Sequence, residues 1–485
     1  MISLIAKPRG RGKLEVMSPK LVSSLIALAL LLSACGLFGG GSELGATCYP
    51  NAAELTAAAT PTGASKPAYV PGQLLVRYED GGAGSLQSLT ARSRAVAREY
   101  GLRTLEPASQ HADLVALPAG QSVEEALKAL RADPRVAYAE PNYYLYAQAT
   151  PNDIFLGEQW NLLDFGLPQA WAIETGQSGV TVAVLDSGVD LSHEDLRGKL
   201  VQGCDFYNKD NDANPGLPKT TLDQTHGTHV AGIAAATGDN GAGVAGVAYA
   251  GVKILPVKVF DDAGRVATSD VVAKAIRWAA GLSVSGVARN PNPARVINLS
   301  LGGSSRDPNT GEQGTIRILD DAIRDARRAG SLVVVASGND SSPGGAKGNE
   351  IYAPANAPDA LAVGSVDSDY RRSTFSMYST SGPSVDLMAP GGLGPSECGL
   401  VVSTVAAESG GGNYGCQAGT SMAAPFVAGV AALLWSQNPD WSADQVEAQL
   451  LASTLSDASF MSQSEYGAGV LCADRALGAA TLCGN

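Results

Sequence analysis

The sequence predicts an α/β protein whose larger part is a doubly wound, mostly parallel sheet with helices on both faces. Short aliphatic runs alternate with longer segments of helical periodicity, and such runs are typical of parallel strands buried on both faces. Several runs end in a polar residue and a turn, as strands do at the functional edge of an open sheet. We expect strands at 180–186, 200–206, 253–259, 296–301, 332–337 and 360–366, and helices near 226–237, 269–283, 314–329, 421–437 and 442–454.

Residues 1–35 have the pattern of an export signal. Basic residues between positions 7 and 20 precede an apolar stretch from Leu21 to Ala34, which is too short to span a bilayer as a helix. Leu32-Ser33-Ala34-Cys35 resembles a bacterial lipoprotein signal (lipobox), in which Cys35 is acylated and becomes the new N-terminus. The alternative is an ordinary secretory signal cleaved nearby, and a start at Met17 would leave a more compact signal. Each interpretation exports the protein.

A linker and a small α+β domain are expected next. Residues 36–67 are rich in Gly, Ala, Thr and Ser, a composition typical of a flexible tether. Residues 68–147 show strand and helix patterns in a β-α-β-β-α-β-like order, which is typical of a ferredoxin-like domain. The expected strands are 73–78, 113–117 and 135–142, and the expected helices are 85–100 and the segment that follows the capping box Ser122–Glu125. The larger domain then takes residues 148–485.

Length and charge limit the classes of function. A chain of 485 residues is long enough for two folded units with extensions. The net charge of −13 argues against nucleic acid or an anionic membrane surface as a partner. We expect the protein to be a monomer.

Three segments supply the residue types that nucleophilic catalysis needs. The aliphatic run Val182–Leu185 ends in Asp186, and His226 lies in a small-residue segment that holds two of the four histidines. Ser421 opens an apolar helix, where free backbone N–H groups and the positive end of the helix dipole would favour a developing oxyanion. Each residue alone is more simply explained as a turn, surface or capping residue. Together they supply a carboxylate, a base and a nucleophile.

The order Asp186, His226, Ser421 resembles that of the subtilisin family of serine proteases (subtilisin/thermitase-like). The resemblance implies that Ser421 attacks the scissile carbonyl and that His226 takes its proton and later gives it to the leaving amine. Asp186 would hold the imidazole tautomer. Asn339, at the end of the aliphatic run 332–335, would donate its side-chain N–H to the oxyanion beside the backbone N–H of Ser421.

Other family features follow from the same resemblance. The segment after 296–299 resembles the strand that pairs with an extended polypeptide substrate, with Ser300, Leu301, Gly302 and Gly338 as walls of the primary specificity pocket. Tyr352 is expected near the floor of that pocket. His229 matches a family position without a proton-transfer role, so we interpret it as structural. The usual histidine of the serine motif is Phe426 here, outside the triad.

The domain at 68–147 resembles the subtilisin-type propeptide, which assists folding and then inhibits the enzyme. An unrelated adaptor domain is the alternative. The resemblance implies an intramolecular cut near Ala147, which would release a catalytic unit that begins around Gln148 to Pro151. Lipid on Cys35 would then anchor only the precursor, and the mature enzyme would be extracellular.

A polar loop resembles the family's high-affinity calcium site. Calcium takes roughly six to eight oxygen ligands, backbone carbonyls included. The resemblance implies one structural Ca²⁺ held by Asp153, Asp195, Thr237, Asn240, Ala242 and Val244, with a metal-free polar turn as the alternative. A second acidic loop resembles the family's weaker calcium site, or is simply solvated, and contains Asp205, Asp210, Asp212 and Asn214.

Seven cysteines in an exported chain predict disulfide bonds. If Cys35 carries lipid, the remaining cysteines allow roughly 15 pairings. The short-range candidates are Cys398 with Cys416 and Cys472 with Cys483. We interpret Cys204, at the end of an expected strand, as a buried thiol. Parity alone supports the alternative, a Cys48–Cys204 bond.

The sequence as a whole predicts an exported serine endopeptidase that is made as a self-processing zymogen and acts on polypeptides through an acyl-enzyme. The alternative is a catalytically inactive, lipid-anchored binding protein on the same fold. The presence of Asp186, His226, Asn339 and Ser421 argues against an inactive protein. A fluorophosphonate probe distinguishes the two, because only an activated serine reacts quickly with it.

Overall fold

A computed structural model describes residues 69–79, 86–107, 112–143, 150–216, 221–479 and 483, with gaps at 308, 310, 312–313, 341, 343–347, 349, 407–412, 458 and 460. All of them belong to one unit, residues 61–485. The expected signal, the linker, Cys48 and the expected cut near Ala147 lie outside the described residues. Among the helices that the structure does describe, none has the length and hydrophobicity needed to cross a membrane.

The N-terminal domain has the expected ferredoxin-like order. Its elements are β1 (Tyr69–Tyr78), α1 (Leu86–Glu99), β2 (Arg103–Pro107), β3 (Ala112–Ala116), α2 (Val123–Arg131) and β4 (Val136–Tyr143). The sheet order is β2-β3-β1-β4, and all neighbours are antiparallel. Leu74, Val76, Val115 and Leu130 belong to a core of its own. The sequence pattern does not single out β2, because no residue of this edge strand is buried and apolar alternation is therefore absent.

The larger, C-terminal domain contains the remaining elements. The strands are β5 (Thr181–Asp186), β6 (Cys204–Asp205), β7 (Lys253–Lys258), β8 (Val296–Leu299), β9 (Leu332–Ala336), β10 (Leu361–Val366), β11 (Leu387–Pro390), β12 (Val401–Val405), β13 (Asn413–Gln417), β14 (Thr454–Leu455) and β15 (Val470–Leu471). The helices are α3 (Trp160–Leu163), α4 (Leu167–Trp171), α5 (Leu222–Ala235), α6 (Ser269–Ala279), α7 (Arg317–Arg328), α8 (Thr420–Gln437), α9 (Ala443–Ala452), α10 (Gln463–Tyr466) and α11 (Ala473–Leu477).

The main sheet confirms the predicted doubly wound architecture. Its order is β14-β15-β11-β10-β9-β8-β5-β7-β6, and its pairs are parallel except β14 with β15. The chain winds outward in opposite directions from β5, which lies between β7 and β8. A crevice therefore forms at the carboxyl ends of β5 and β8, the usual ligand position in such sheets.

The helix α8 lies at the centre of this domain. Nearly all of its residues are buried, and it contacts β8, β9, β10 and β11 as well as α5. Helices α6 and α7 pack against each other, α6 also against β5 and β7 and α7 against β9. The sequence of α8 from Met422 to Trp435 is apolar because a helix enclosed on all sides has no solvated face.

Two predicted elements need correction. The helix predicted at 226–237 spans Leu222–Ala235. It begins four residues earlier than predicted because Thr221 and Gln224 form a capping box that starts the helix at Leu222. The strand predicted at 200–206 is only Cys204–Asp205 with an isolated bridge at Leu200. At Gly203 the chain approaches β7 so closely that a Cβ would lie 2.2 Å from the carbonyl oxygen of Pro256.

Candidate active site

Asp186 is the last residue of β5, and its carboxylate is buried in the crevice. Its Oδ1 accepts a hydrogen bond from the backbone N–H of Ser187 at 2.7 Å and lies 2.8 Å from His226 Nδ1. Gly227 permits this approach, because a Cβ there would lie 2.3 Å from the carbonyl oxygen of Gly188 and 2.9 Å from Asp186 Cβ. The carboxylate is thus placed to fix the tautomer of His226 with the proton on Nδ1.

His226 lies in the second turn of α5, so its backbone is held by the hydrogen bonds of the helix. Burial lowers the pKa of His226, but the charge of Asp186 and its hydrogen bond outweigh burial, and the pKa is raised above its usual value. The carboxylate therefore stabilises the imidazolium. This is the electrostatic property that a base needs if it is to take a proton from a hydroxyl.

Ser421 is the second residue of α8, and its position is fixed by a reciprocal pair of hydrogen bonds. The Ser421 hydroxyl donates to the carbonyl oxygen of Ser300 at 3.3 Å, and the Ser300 hydroxyl donates to the carbonyl oxygen of Ser421 at 2.8 Å. That carbonyl lacks its helical partner because Pro425, four residues on, has no N–H. The Ser421 hydroxyl thus faces Ser300 in this structure, and this contact is compatible with a nucleophile because catalytic hydrogen bonds often form only when the substrate binds.

Asn339 and the backbone N–H of Ser421 converge on one point. Thr420 donates to Asn339 Oδ1 from its backbone nitrogen at 3.0 Å and from its hydroxyl at 3.1 Å, which leaves the amide Nδ2 to face the site. A Cβ built on Gly419 would lie 3.2 Å from Asn339 Nδ2 and 3.6 Å from Ser421 N. Two hydrogen-bond donors thus line the space that the absence of a side chain at Gly419 leaves open, as an oxyanion site requires.

The residues expected to form the substrate walls lie at the ends of two strands and share one neighbour, Tyr352. Ser300, Leu301 and Gly302 directly follow β8, and Gly338 is the second residue after β9. A Cβ on Gly338 would lie 2.7 Å from Tyr352 Cδ2, and one on Gly302 would lie 3.1 Å from Tyr352 Cβ. Tyr352 therefore lies against both glycines, with its ring beside Gly338.

Two supporting residues were not identified as functional by the sequence. Thr420 orients the amide of Asn339, and Asn298 donates from Nδ2 to the Ser300 hydroxyl at 2.9 Å. Both lie inside recognised motifs, but a threonine at a helix start and an asparagine in a strand are also ordinary structural residues. Only the three-dimensional contacts separate the two roles.

Comparison with known proteins decides the family. The profile of the subtilase family matches residues 177–469, and the profile of the fervidolysin N-terminal prodomain matches residues 56–142. The chain belongs to the subtilase family.

Individual relatives agree with this assignment. A thermophilic serine proteinase from Bacillus sp. (strain AK1) is 38% identical over 375 residues, which are 77% of this chain and 80% of the relative. An extracellular protease from Xanthomonas campestris pv. campestris is 34% identical over 450 residues, 84% of this chain and 73% of the relative. A protease structure from Pseudoalteromonas arctica matches with a TM-score of 0.59 and 36% identity, over 68% of this chain and 99% of that one. This subtilase is therefore a subtilisin-like serine endopeptidase with an N-terminal prodomain.

The loop expected to bind calcium is assembled in this subtilase around two buried carboxylates. Asp153 Oδ2 accepts from the backbone N–H of Asp239 at 2.8 Å, and Asp195 accepts from Asn240 Nδ2 at 2.8 Å and from the backbone N–H of Val244 at 2.9 Å. Burial raises the pKa of both carboxyl groups. Ala242 lies in the same loop, where its N–H donates to Asn240 Oδ1 at 2.8 Å.

Two oxygens at this loop lack partners. Asp153 Oδ1 and Thr237 Oγ1 are buried without a hydrogen bond, and no lysine or arginine among the described residues pairs with Asp153 or Asp195. Buried carboxylates without a cation are costly. The residues present therefore fit a divalent cation with oxygen ligands.

The second acidic loop has a different chemistry. Asp205 Oδ2 lies 2.9 Å from Lys258 Nζ, and its Oδ1 accepts from two backbone N–H groups at 2.8 Å. Asp210 accepts from the N–H of Asp212, and Asp212 accepts from Asn214 Nδ2 at 2.7 Å. Asp205 is thus paired with a buried lysine, in contrast to Asp153 and Asp195 in the first loop.

Both short-range disulfide predictions are confirmed. Cys398 is bonded to Cys416, and Cys472 is bonded to Cys483. Cys204 is a buried free thiol whose pKa burial raises to about 11.

His229 and Phe426 occupy packing positions. His229 Nε2 lies 3.2 Å from the carbonyl oxygens of both Val401 and Gly415, and burial lowers its pKa to about 3. The neutral ring thus ties α5 to the β12–β13 hairpin, which agrees with a structural role. Phe426 is fully buried and packs edge-to-face on Phe165.

Proposed function

We propose that this subtilase cleaves peptide bonds with the triad Asp186, His226 and Ser421, and that it is made as an exported zymogen that processes itself. The observation that carries the proposal is the hydrogen bond of 2.8 Å between His226 and the buried carboxylate of Asp186, at the same sheet edge as the donors Asn339 Nδ2 and Ser421 N–H. In a serine protease, such a carboxylate orients the imidazole that takes the proton of the serine and later returns it.

The chemistry follows the order known for subtilisin itself. Ser421 Oγ attacks the scissile carbonyl carbon while His226 Nε2 takes the hydroxyl proton. The carbonyl oxygen becomes negative between Asn339 Nδ2 and the Ser421 N–H. His226 then gives the proton to the leaving amine as the C–N bond breaks, which leaves an acyl group on Ser421. Water, deprotonated by His226, attacks the ester and restores the serine.

Substrates are proposed to be extended polypeptides. The segment Ser300–Gly302 supports this, because its backbone directly continues strand β8. Since Tyr352 lies against both Gly302 and Gly338, we propose a preference for small or slender side chains before the cleaved bond.

Self-processing is supported by the prodomain that precedes the catalytic domain. Ser421→Ala should abolish proteolysis and leave the precursor uncut near Ala147, whereas the wild-type chain should yield a product that starts around Gln148 to Pro151. Intact-mass analysis after expression in a protease-deficient host measures this. Cleavage of the Ser421→Ala precursor at the same bond would contradict self-processing.

Export is supported by the basic and apolar segments before Cys35 and by relatives named as extracellular proteases. We propose lipid on Cys35 of the precursor and soluble mature enzyme. Radiolabelled palmitate should appear in the precursor or its N-terminal fragment, and activity should appear in the medium. Mature catalytic domain that stays in the membrane fraction after reduction would contradict this.

Calcium is proposed to bind at the first loop through Asp153, Asp195 and Asn240 and through backbone oxygens near Thr237, Ala242 and Val244. The unpartnered Asp153 Oδ1 and Thr237 Oγ1 support the site. The ion would neutralise the two carboxylates and stabilise the loop, and it would take no part in bond cleavage.

A further inference from the structure

Lys258 is a buried lysine at the catalytic edge of the sheet. It is the last residue of β7, and its parallel neighbours in register are Asp186 on β5 and Asp205 on β6. Only 2% of the residue is exposed. A charged ammonium group in such a position is costly unless it is paired or fully hydrogen-bonded.

The two carboxylate partners of Lys258 come from different segments: Asp205 is the last residue of β6, and Asp262 lies in the turn after β7. Its Nζ lies 2.9 Å from Asp205 Oδ2 and 2.5 Å from Asp262 Oδ1. Asn208 closes the arrangement, because its Nδ2 donates to Asp205 at 3.1 Å and to Asp262 at 2.9 Å. The loop after β6 and the turn after β7 are thus joined through one buried cation.

The turn that Lys258 holds supports the start of α5. Gln224 Nε2 donates to the carbonyl oxygen of Asp262 at 3.0 Å, and Arg265 Nε donates to Asp223 Oδ2 at 2.9 Å. The backbones are also in close contact, because a Cβ on Gly264 would lie 2.4 Å from the carbonyl oxygen of Asp223. These contacts lie two and three residues before His226.

A second connection runs from the same strand to Asp186. The N–H of Val259, directly after Lys258, donates to the carbonyl oxygen of Asp186 at 2.9 Å. The turn 259–266 therefore touches both halves of the Asp186–His226 pair: the strand that ends at Asp186 and the helix turn that precedes His226.

We propose that Lys258 is a positioning residue for the catalytic histidine: by joining Asp205 to Asp262 it fixes the turn 259–266, which holds the first turn of α5 and sets His226 against Asp186. Lys258 also supplies the positive charge that the acidic loop at Asp205 requires, so that this loop needs no metal ion. The inference rests on the proposed triad.

Asp262→Ala is the sharpest test, because the side chain of Asp262 is 62% exposed and its loss leaves the buried Lys258–Asp205 pair intact. We expect kcat per titrated active site to fall about tenfold, as small displacements of catalytic groups cause, with KM and the melting temperature little changed. The peptide assay is run above the titration of His226, so that charge effects on its pKa do not contribute. Asp270→Ala is the matched control, since it removes one charge from an exposed ion pair with Lys274.

A kcat for Asp262→Ala within twofold of the wild type, or a loss shared by Asp270→Ala, would overturn the proposal. So would a result in which only the melting temperature or the titratable fraction falls. Failure of the triad assignment looks different, because Ser421→Ala would then retain activity.

Removal of the cation itself provides the second test. Lys258→Met leaves Asp205 buried without a partner and should fold poorly. The double variant Lys258→Met/Asp205→Asn should recover soluble, titratable enzyme but not kcat, because the connection to Asp262 is still missing. Recovery of full kcat in the double variant would show that Lys258 only neutralises Asp205, and the proposal would fail.

Discussion

At the scale of one residue, Gly419 shows how a single position in the sequence determines the space beside the hydrogen-bond donors of the site. Its φ of 162° is extended backbone that any residue can adopt, so conformation does not require a glycine there. The requirement is for space, because a Cβ would lie within 3.6 Å of both donors, Asn339 Nδ2 and Ser421 N.

Gly419→Ala should therefore leave folding almost unchanged and impair catalysis. The methyl group would occupy the space of the oxyanion, and kcat should fall by about 10²–10³, the loss known for the corresponding side-chain donor in subtilisin itself. Peptide hydrolysis and thermal unfolding measure the two effects. Equal kcat in Gly419→Ala and wild type would place the oxyanion elsewhere.

The pKa of His226 gives a second prediction at this scale. His226 must be neutral to accept a proton, so activity is lost as the pH falls through its raised pKa, and the acid limb of kcat/KM should lie above the usual imidazole value of about 6.5. The negative charge of Asp223 also raises this pKa. Asp223→Asn should move the acid limb to lower pH, whereas Asp270→Asn should not. An unshifted limb in Asp223→Asn would contradict the assignment of the limb to His226.

Among elements, the β12–β13 hairpin links α5, the helix that holds His226, to the loop proposed to bind calcium. Ser403 and Thr404 donate from their hydroxyls to carbonyl oxygens of α5 at 2.8 and 2.7 Å. Tyr414 donates to Glu194 Oε1 at 3.0 Å, and its ring fills the space beside Gly243. The Cys398–Cys416 disulfide closes the base of this hairpin.

Loss of that disulfide should weaken both connections. For a closed segment with a sequence separation of 18 residues, the chain-entropy estimate of its contribution is about 3 kcal/mol. We expect Cys398→Ser/Cys416→Ser to lower the free energy of unfolding by about that amount in a urea titration and to weaken calcium binding. Cys472→Ser/Cys483→Ser is the control, and it should leave calcium affinity unchanged. Unaltered calcium affinity in Cys398→Ser/Cys416→Ser would show that the β12–β13 hairpin does not support the proposed calcium-binding loop.

The elements also show what sequence reasoning can reach. The buried strands β5, β8 and β9 are continuous aliphatic runs followed by polar residues, which the sequence pattern shows directly. The roles of Ser300 and Asn339 were predicted from the resemblance to the subtilisin family and not from this pattern. The hairpin β12–β13 was not predicted, since its position depends on long-range contacts with α5 rather than on local pattern. The predicted start of α5 is four residues late, because its capping box is followed by mostly polar residues. A capping box is recognised in a sequence by the hydrophobic run that follows it.

Lys258 shows the same limit for a single side chain. In the sequence it is one lysine after an apolar run, where an exposed strand end is the simplest expectation. Its burial and its two carboxylate partners arise only when β6 and β7 pair and the following turn folds back. The pairing of Asp205 with Lys258 cannot be predicted from the acidic loop alone, because the lysine is distant in the chain.

At the scale of the whole molecule, calcium should couple loop order to overall stability. A ligand that binds only the native state stabilises it by roughly 2.7 kcal/mol at 100 times its Kd. Excess chelator should therefore lower the melting temperature of the mature enzyme, and Asp195→Ala should remove most of that dependence. Asp212→Ala in the second loop is the control and should keep it. An unchanged melting temperature in chelator would exclude a structural calcium ion.

The central claim is that Asp186, His226 and Ser421 act together to activate one serine, and covalent labelling tests it most directly. The mature enzyme is treated with a fluorophosphonate, and the adduct is located by peptide mass mapping. We predict a single rapid adduct on Ser421, which is lost in His226→Ala although that variant remains folded. A folded wild-type enzyme that gives no adduct, an adduct on another residue, or equal labelling of His226→Ala would contradict the account.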